Sequence, residues 1–307
     1  MVDLSVTIGS LKLKNPLLPA SGTFGYGTEF MKFYDVNQYG AIITKSLTLE
    51  PRSGNTMPRI AETNCGLLNS IGLANVGLDV FLNETLGTLQ HITCPIIVNI
   101  AGSTIDEYIA VARQLSSLPQ IKGIEINISC PNVKQGGMAF GTDPGITSQI
   151  VSSIREVYSN TLIVKLTPNV TDIGIIARSA VDAGADALSL INTVLGMRID
   201  INTKRPLLNT ITGGLSGPAI KPIALAKVFQ VARSVDVPII GIGGITSWED
   251  VIEFLIAGAT AVEIGSLHFI DPSGPQLMLE GIKNYCKKNS IHKITELINS
   301  LESENND

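Results

Sequence analysis

The sequence has few of the residues that bind metals. It contains four cysteines and three histidines, at Cys65, Cys94, Cys130, Cys286, His91, His268 and His292. No two cysteines form a Cys-x-x-Cys pair and the histidines are scattered, so the spacing supports neither a zinc site nor an iron–sulfur cluster bound by this chain. Unpaired thiols of this kind are typical of a reduced, cytoplasmic protein.

The sequence also lacks a basic surplus and a long apolar run. Lys and Arg total 22 against 27 Asp and Glu, a formal net charge of −5, which argues against nucleic acid as the main partner. No run approaches the ~20 apolar residues that span a bilayer. Residues 1–8 have neither the basic flank nor the apolar core of a signal peptide. We therefore predict a cytoplasmic protein without a membrane anchor.

Eight short runs rich in Val, Ile and Leu are separated by segments with helical spacing. The predicted strands are Pro16–Ser21, Ala41–Leu47, Pro95–Ala101, Gly123–Ser129, Leu162–Thr167, Ala187–Val194, Pro238–Ile242 and Ala261–Gly265. They are almost continuously apolar, which is typical of parallel strands covered on both faces. Eight strands alternating with helices predict an α/β protein, a (β/α)8 TIM barrel in which residues 1–307 form a single domain.

Two of the intervening segments carry clear helix signals. In Ile146–Ser159 the apolar residues fall on one helical face. Ser247–Asp250 resembles a capping box before a helix over Val251–Ala257, with Gly258 as its stop. The competing architecture is an open doubly wound sheet. However, no glycine-rich dinucleotide turn follows the first strand, and eight units fit a closed barrel better.

Two long stretches between strands are too rich in turn-forming residues to be single helices. They are Glu50–Asn75 and Leu195–Pro218, and we predict that both pass over the C-terminal mouth of the barrel. Within the second stretch, Thr212–Pro218 is predicted to be a glycine-rich loop facing the same ligand. The acidic C-terminus, Leu301–Asp307, is predicted to be frayed.

Polar residues stand at the carboxyl ends of the predicted strands, which point to one site in a barrel. The lysines and asparagines among them are Lys45, Asn99, Asn127, Lys165 and Asn192. Each lysine taken alone could simply reach solvent, and each asparagine could satisfy local backbone. Because buried Lys and Asn are costly without partners, their convergence on one rim instead predicts a bound ligand that supplies those partners.

Glycines follow the last two predicted strands, at Gly241–Gly244 and at Gly265 before Ser266. Barrels of this kind usually bind phosphate there through backbone N–H groups, and glycine lets the backbone approach closely. The alternative is a pair of tight turns without a ligand.

Cys130 follows the fourth predicted strand and precedes a loop broken by Pro131 and by Gly136-Gly137. A reactive group at a strand end under a movable loop is typical of barrel enzymes. The alternative is that Cys130 is a small buried hydrophobe. A phosphate-bearing cofactor, two lysines and a cysteine base together indicate flavin redox chemistry.

The ordered motifs of the chain resemble those of one enzyme family. They are Pro19–Gly25, Thr44–Ser46, Asn69–Leu73, Asn127–Asn132, Val164–Pro168, Ile191–Thr193, Gly213–Pro218, Gly241–Gly244 and Gly265–Ser266. From Pro16 to about Gly281 the chain resembles the catalytic subunits of class 1B, NAD-linked dihydroorotate dehydrogenases. The resemblance implies oxidation of (S)-dihydroorotate to orotate in de novo pyrimidine (UMP) synthesis.

The resemblance also implies the roles of individual residues. FMN would contact Ser21, Lys45, Ser46, Asn99, Asn127, Lys165, Ile191, Gly217, Gly243, Gly244, Gly265 and Ser266. Dihydroorotate would contact Lys45, Asn69, Ser70, Ile71, Gly72, Leu73, Asn127, Asn192 and Thr193. Cys130 would take the C5 proton while hydride passes from C6 to flavin N5. Ser266, which is often Thr in relatives, keeps the hydroxyl.

The class assignment and the partner also follow from the resemblance. Cysteine rather than serine at position 130, and the missing N-terminal membrane extension, look like class 1, while the loop Lys134–Pro144 looks like class 1B. Class 1B implies a partner subunit carrying FAD and a [2Fe–2S] cluster, in a heterotetramer of two catalytic and two electron-transfer subunits built on a catalytic homodimer. Electrons would pass through that partner to NAD⁺.

Three other functions remain open at this point. The first is a class 1A activity, with fumarate as electron acceptor. The second is an RNA-modifying flavin barrel such as a dihydrouridine synthase, which the acidic balance and the lack of an appended basic domain disfavour. The third is a non-catalytic barrel, which the intact set of lysines, asparagines and Cys130 disfavours.

Overall fold

The computed structural model describes residues 2–129, 131–132 and 138–302. At its centre is an eight-stranded parallel sheet made of β1 (Leu17–Pro19), β2 (Ile42–Ile43), β3 (Ile96–Ile100), β4 (Ile121–Asn127), β5 (Thr161–Leu166), β6 (Ala187–Leu190), β7 (Ile239–Ile242) and β8 (Ala261–Ile264). The strands pair in the order β1-β8-β7-β6-β5-β4-β3-β2. A backbone hydrogen bond of 2.8 Å from Gly40 to Leu17 joins the two edges. The predicted (β/α)8 barrel is therefore confirmed.

Helices cover the outside of the sheet. In the described part of the chain, β3 to β8 are followed in turn by α1 (Ile105–Ser116), α2 (Pro144–Arg155), α3 (Ile173–Asp182), α4 (Lys221–Ala232), α5 (Trp248–Ile256) and α6 (Gly274–Lys288). The segment after β2 is helical in four consecutive pieces, Leu78–Val80, Phe81–Thr85, Leu86–Thr88 and Leu89–His91. Short 3₁₀ turns occupy Val36–Gln38, Phe140–Thr142, Pro218–Ile220, Ser266–Phe269 and Ile294–Leu297. No helix among the described residues combines the length and apolar character needed to cross a bilayer.

The two predicted helices are present, with shifted ends. The capping box is confirmed, because the Ser247 side chain accepts from the Asp250 N–H and Asp250 bonds back to the cap backbone. The chain leaves α5 before Gly258, whose φ of 118° suits glycine. The prediction of helix over Ile146–Ser159 runs four residues too far, since α2 ends at Arg155.

The strands are buried on both faces. Every residue of β3 and of β5 is buried, as expected for strands between a barrel interior and a layer of helices. At the amino end of the barrel, a hairpin of Val6–Ile8 and Leu11–Leu13 closes the interior. Its turn is fixed by the Ser10 N–H, which donates to Thr161 Oγ1 at 3.2 Å. The barrel interior is therefore covered at this end.

The two long stretches between strands, Glu50–Asn75 and Leu195–Pro218, meet over the carboxyl end of the barrel as predicted. Together they form one antiparallel sheet, the roof sheet, with strands in the order Val194–Met197, Thr212–Ser216, Gly66–Asn69 and Ile60–Thr63. Gly214 pairs with Asn69, and Leu215 pairs with both Leu68 and Val194. Two-residue ladders join Ile199–Asp200 to Arg205–Pro206, and Pro131–Asn132 to Met138–Ala139.

Three boundary predictions are wrong for identifiable reasons. The glycine-rich segment Thr212–Pro218 is not a loop, because Thr212–Ser216 is a central strand of the roof sheet. The predicted sixth strand Ala187–Val194 is too long, since β6 ends at Leu190 and Val194 begins a roof strand. The second strand stops at Ile43 because the Lys45 N–H turns away to the Gly25 carbonyl, 2.6 Å from it.

Candidate active site

A cavity of about 400 Å³ lies between the carboxyl end of the barrel and the roof sheet. All the predicted cofactor residues except Asn99 line it, namely Ser21, Lys45, Ser46, Asn127, Lys165, Ile191, Gly217, Gly243, Gly244, Gly265 and Ser266. The predicted substrate residues line it as well, namely Lys45, Asn69, Ser70, Ile71, Gly72, Leu73, Asn127, Asn192 and Thr193. Residues from the barrel and from both long stretches that pass over its mouth therefore meet at one site.

Asn99 lies beneath the cavity rather than on its wall. Its side chain is fully buried, its Oδ1 accepts from Ser46 Oγ at 2.5 Å, and its Nδ2 donates to Glu125 Oε1. Ser46, in contrast, lines the cavity. In this geometry Asn99 fixes the direction of the Ser46 hydroxyl.

Lys165 Nζ is held by two buried carboxyl groups that the sequence analysis did not single out. It donates to Glu263 Oε2 at 2.8 Å, and Glu125 Oε1 lies 3.6 Å away. Ser21 Oγ is 3.4 Å away on the cavity side. Glu125 also accepts from Ser189 Oγ at 2.8 Å. The ammonium ion therefore has a fixed position at the cavity wall.

The charges of this cluster follow from burial and from mutual contact. Burial opposes a charge on Lys165, but the two glutamates outweigh it and raise the pKa of the ammonium above its usual value. Burial likewise opposes a charge on Glu125, yet Lys165 and the hydrogen bonds to the carboxylate lower the pKa of Glu125. Burial and the neighbouring Glu125 carboxylate raise the pKa of Glu263 well above its usual range.

Lys45 is the second lysine of the cavity, and it differs from Lys165 in its contacts. It is half-buried on the cavity wall, and its ammonium has no hydrogen bond or ion pair to any described residue. A half-buried cation that faces a cavity without a counter-charge is suited to an anionic ligand. The prediction that Lys45 meets a ligand thus has a structural basis.

Asn69, Asn127 and Asn192 line the same cavity. Asn192 Nδ2 donates to Ser129 Oγ at 2.9 Å and to Asn127 Oδ1 at 3.3 Å. Tyr108 Oη donates to the Asn127 carbonyl at 2.7 Å, which fixes the end of β4. Across the cavity, Asn69 Nδ2 donates to Gly214 O at 3.3 Å within the roof sheet. Their remaining amide groups can serve a flat, polar ligand.

Glycines shape the part of the cavity after β7 and β8. Gly217, Gly243 and Gly244 have φ of 98°, 132° and 70°, and all three line the cavity. A Cβ on Gly244 would lie 2.8 Å from Lys221 N and 2.9 Å from Gly217 O. No side chain caps the turn Ser266–Phe269, so its first N–H groups remain available to an anion.

Gly244→Ala is expected to lower the free energy of unfolding by more than about 1 kcal/mol, because alanine is strained at this φ and its Cβ would meet backbone. The measurement is urea denaturation of the protein without added ligand. Gly22→Ala is the control, since Gly22 also lines the cavity but a Cβ there would meet nothing within 4 Å. Equal losses of stability in the two variants would contradict the expectation.

His268 supports the loop after β8 from behind. Its Nδ1 lies 2.9 Å from Gly265 O, and its Nε2 lies 2.6 Å from Tyr39 Oη. Burial lowers the pKa of His268 to about 4, so the ring is neutral at physiological pH. A neutral ring with Nδ1–H donates to Gly265 and accepts from Tyr39, which holds the loop against the barrel.

Glu125, Glu263 and His268 are functional residues of this site that are absent from the residues predicted from the sequence. The two glutamates had a usable signal, since Glu125 is two residues before Asn127 and so faces the same side of its strand. Glu263 stands in the same relation to Gly265. A carboxyl group inside a nearly apolar strand, on the face that carries other site residues, indicates a buried ion pair.

Cys130 lies outside the described residues, as do residues 133–137 of the predicted loop. The chain just before it is described, and both Asn127 and Ser129 line the cavity. Burial raises the pKa of Cys94 to about 11 and also raises that of Cys286, so these two thiols are unsuited to act as bases at neutral pH. Among the described residues, no group of three or more His, Cys, Asp or Glu side chains could hold a metal ion.

The solved structures include one with the same fold. A crystal structure of DHODH from Eimeria tenella, in complex with ferulenol, has a TM-score of 0.79 and 22% sequence identity to this chain. The likeness covers 97% of this chain and 88% of that chain. At this identity the comparison establishes the barrel architecture alone.

Sequence relatives are much closer. Residues 3–285 match the family model described as dihydroorotate dehydrogenase. The catalytic subunit named dihydroorotate dehydrogenase B (NAD(+)) from Geotalea daltonii is 55% identical over 300 residues, with 98% of each chain covered. The subunit of the same name from Bacteroides thetaiotaomicron is 52% identical over 302 residues, with 98% of this chain and 100% of that one covered. The predicted resemblance is confirmed, and the chain belongs to the dihydroorotate dehydrogenase family.

Proposed function

We propose that this chain oxidises (S)-dihydroorotate to orotate in pyrimidine synthesis, with bound FMN as the cofactor. The observation that carries the proposal is the meeting of Lys45 and Lys165 with Asn127, Asn192 and Asn69 in one cavity. An anionic substrate with ring amides matches such a set of groups. Family membership supports the same reaction.

The residues of the cavity fit a flavin nucleotide. The left-handed glycines Gly243 and Gly244 and the uncapped turn that begins at Ser266 suit its phosphate. Lys165, held in one position by two carboxyl groups, suits the pyrimidine edge, where negative charge builds on reduction. Bound FMN would supply the hydride acceptor that no amino-acid side chain provides.

Substrate orientation would come from Lys45 and the asparagines. The ammonium of Lys45, which has no partner among the described residues, would bind the carboxylate of dihydroorotate. Asn69, Asn127 and Asn192 would bind the ring amides, since each carries both a donor and an acceptor. The roof sheet would exclude water because it covers the mouth of the barrel.

Cys130 would act as the base. Its Sγ, as thiolate, would accept the proton from C5 of the substrate while hydride leaves C6, so that the C5–C6 double bond of orotate forms. This role rests on the family motif and on the position of Cys130 directly after the cavity residue Ser129.

For the acceptor, we propose a separate subunit carrying FAD and a [2Fe–2S] cluster that passes electrons to NAD⁺. The relatives' names contain both "NAD(+)" and "catalytic subunit", which supports a partner and disfavours fumarate. We propose a heterotetramer of two catalytic and two electron-transfer subunits, built on a catalytic homodimer, in the cytoplasm.

The proposal is tested by the visible spectrum of the purified chain without oxygen, before and after dihydroorotate is added. A flavin band that bleaches is the expected result. A flavin band that does not change would remove dihydroorotate as the substrate, while the absence of any flavin, even after FMN is supplied, would remove the redox function. Bleaching by dihydroorotate with no re-oxidation by fumarate would distinguish the NAD-linked form from a fumarate-using one.

A further inference from the structure

The two glutamates that hold Lys165 are alike in burial but differ in their partners. Both are essentially inaccessible to solvent. Glu125 is fully satisfied, since Oε1 accepts from Asn99 and lies near Lys165 while Oε2 accepts from Ser189. Glu263 Oε2 accepts from Lys165, but its Oε1 is buried without a hydrogen-bond partner in the described structure.

The charge of this cluster depends on one proton. With both carboxyl groups ionised, one ammonium faces two carboxylates, and the net charge inside the barrel is −1. A buried uncompensated charge is costly, and two adjacent carboxyl groups avoid it by sharing a proton. Among the described residues, Glu125 and Lys165 are the charged groups that act on Glu263, and no second cation in this part of the chain balances the pair.

The identity of the protonated partner follows from the hydrogen bonds. Glu125 accepts from two neutral donors besides Lys165, and each of those bonds favours its ionised form. Glu263 has one bare oxygen, and its carboxyl group and that of Glu125 contact the same Lys165 ammonium, at 2.8 Å and 3.6 Å. A proton on Glu263 Oε1 would gain an acceptor, whereas an ionised Oε1 would stay unsatisfied.

We propose that Glu263 is a neutral acid at physiological pH, donates its proton to the Glu125 carboxylate, and so holds Lys165 in place without adding a second negative charge beside the cavity. Glu263 is then a positioning residue for Lys165. The cluster has a net charge of zero, and the negative charge of a reduced ligand at the cavity wall meets Lys165 without extra repulsion.

The protonation state is tested without cofactor or substrate. The protein is labelled with ¹³C at the glutamate side-chain carboxyl groups, and its NMR spectrum is recorded from pH about 6 to about 8, where exposed glutamates are ionised. We expect one resonance at the position of a neutral acid throughout. It should be absent from Glu263→Gln and present in the control Glu253→Gln, which alters an exposed glutamate paired with Lys221. No such resonance in the parent protein, or its survival in Glu263→Gln, would overturn the proposal.

The consequence for redox behaviour rests on the proposed function, and is tested by spectroelectrochemical titration of the FMN-loaded protein. Glu263→Gln replaces a neutral acid by a neutral amide, so the ratio of reduced to oxidised flavin at a given potential should change by less than about threefold. The double variant Glu125→Gln/Glu263→Gln removes the ionised carboxyl group and leaves no other to take its place beside Lys165, so it should shift that ratio at least tenfold toward the reduced form, about 30 mV for a two-electron couple.

The outcomes separate the two proposals. A tenfold shift toward reduced flavin in Glu263→Gln would show that Glu263 is ionised and would overturn the inference. If the protein binds no flavin, the proposed function fails, while the NMR measurement still decides the state of Glu263. If the double variant Glu125→Gln/Glu263→Gln does not fold, the parent protein and Glu263→Gln still give that decision.

Discussion

Cys130→Ala is expected to lower the rate of flavin reduction by dihydroorotate by about 10²- to 10⁴-fold at neutral pH, the usual contribution of a positioned base. FMN should remain bound, because Asn127 is the only residue assigned to it that lies on β4, the strand before Cys130, and the others lie on or after other strands. The measurement is anaerobic stopped-flow absorbance of the flavin band. Cys130→Ser should retain a slower reduction that rises toward high pH, since an alcohol is a poorer source of base than a thiol.

The matched control for Cys130→Ala is Cys65→Ala. Cys65 is an exposed free cysteine of the same chain. The substitution Cys65→Ala should leave the rate of flavin reduction unchanged. Rapid reduction by Cys130→Ala, or a normal pH profile of Cys130→Ser, would remove Cys130 from the role of base.

Lys165→Met is expected to lower the free energy of unfolding by about 3–5 kcal/mol at neutral pH and to release most of the flavin. Removing one partner of a buried ion pair leaves an unbalanced charge, which accounts for a loss of this size. Lys165 is almost fully buried between Glu125 and Glu263, so solvent does not screen the remaining carboxylate. The measurement is urea denaturation together with the flavin absorbance of the purified variant.

The loss in Lys165→Met is expected to grow with pH. Without the ammonium, burial raises the folded pKa of Glu125 above its unfolded value of about 4.3. A raised carboxyl pKa contributes stability that is fully present below the unfolded pKa and is lost as pH rises through the folded pKa. The difference in stability between parent and variant should therefore be larger at pH about 8 than at pH about 5.

Lys221→Met provides the comparison for Lys165→Met. Lys221 contacts Asp250 at 2.5 Å and Glu253 at 3.0 Å, but its side chain is 25% exposed. Its replacement should cost about 1 kcal/mol or less, because solvent partly screens the ammonium and the buried Asp250 carboxylate keeps its hydrogen bonds from Thr246 and Ser247. Equal losses of unfolding free energy in Lys165→Met and Lys221→Met would mean that the stability of the buried cluster does not depend on the Lys165 ammonium.

The barrel could be predicted from the sequence because near-continuous apolar runs are characteristic of strands covered on both faces. The strand ends could not, since they depend on contacts from elsewhere in the chain. The Lys45 N–H leaves the second strand for Gly25, and Val194 joins a roof strand. Tertiary hydrogen bonds of this kind leave no periodicity in the local sequence.

The cavity wall could be predicted largely because strand ends converge in a barrel. Its supporting layer could not, for a different reason. Asn99 was assigned to the wall because it stands near a strand end, but its residue position gives no information on the depth at which its side chain lies. Glu263 was passed over because one carboxyl group in an apolar strand has no visible partner until Lys165, 98 residues away in sequence, is placed beside it.

The roof sheet ties together two segments that are far apart in the chain. Asn69 and Gly214 are neighbours in one ladder although 145 positions separate them. If only one of these segments were replaced by the segment of a related protein, the roof strands of the other segment would pair with a strand whose sequence is not matched to theirs. A chimera designed for a different substrate specificity should therefore exchange residues 50–75 and 195–218 together.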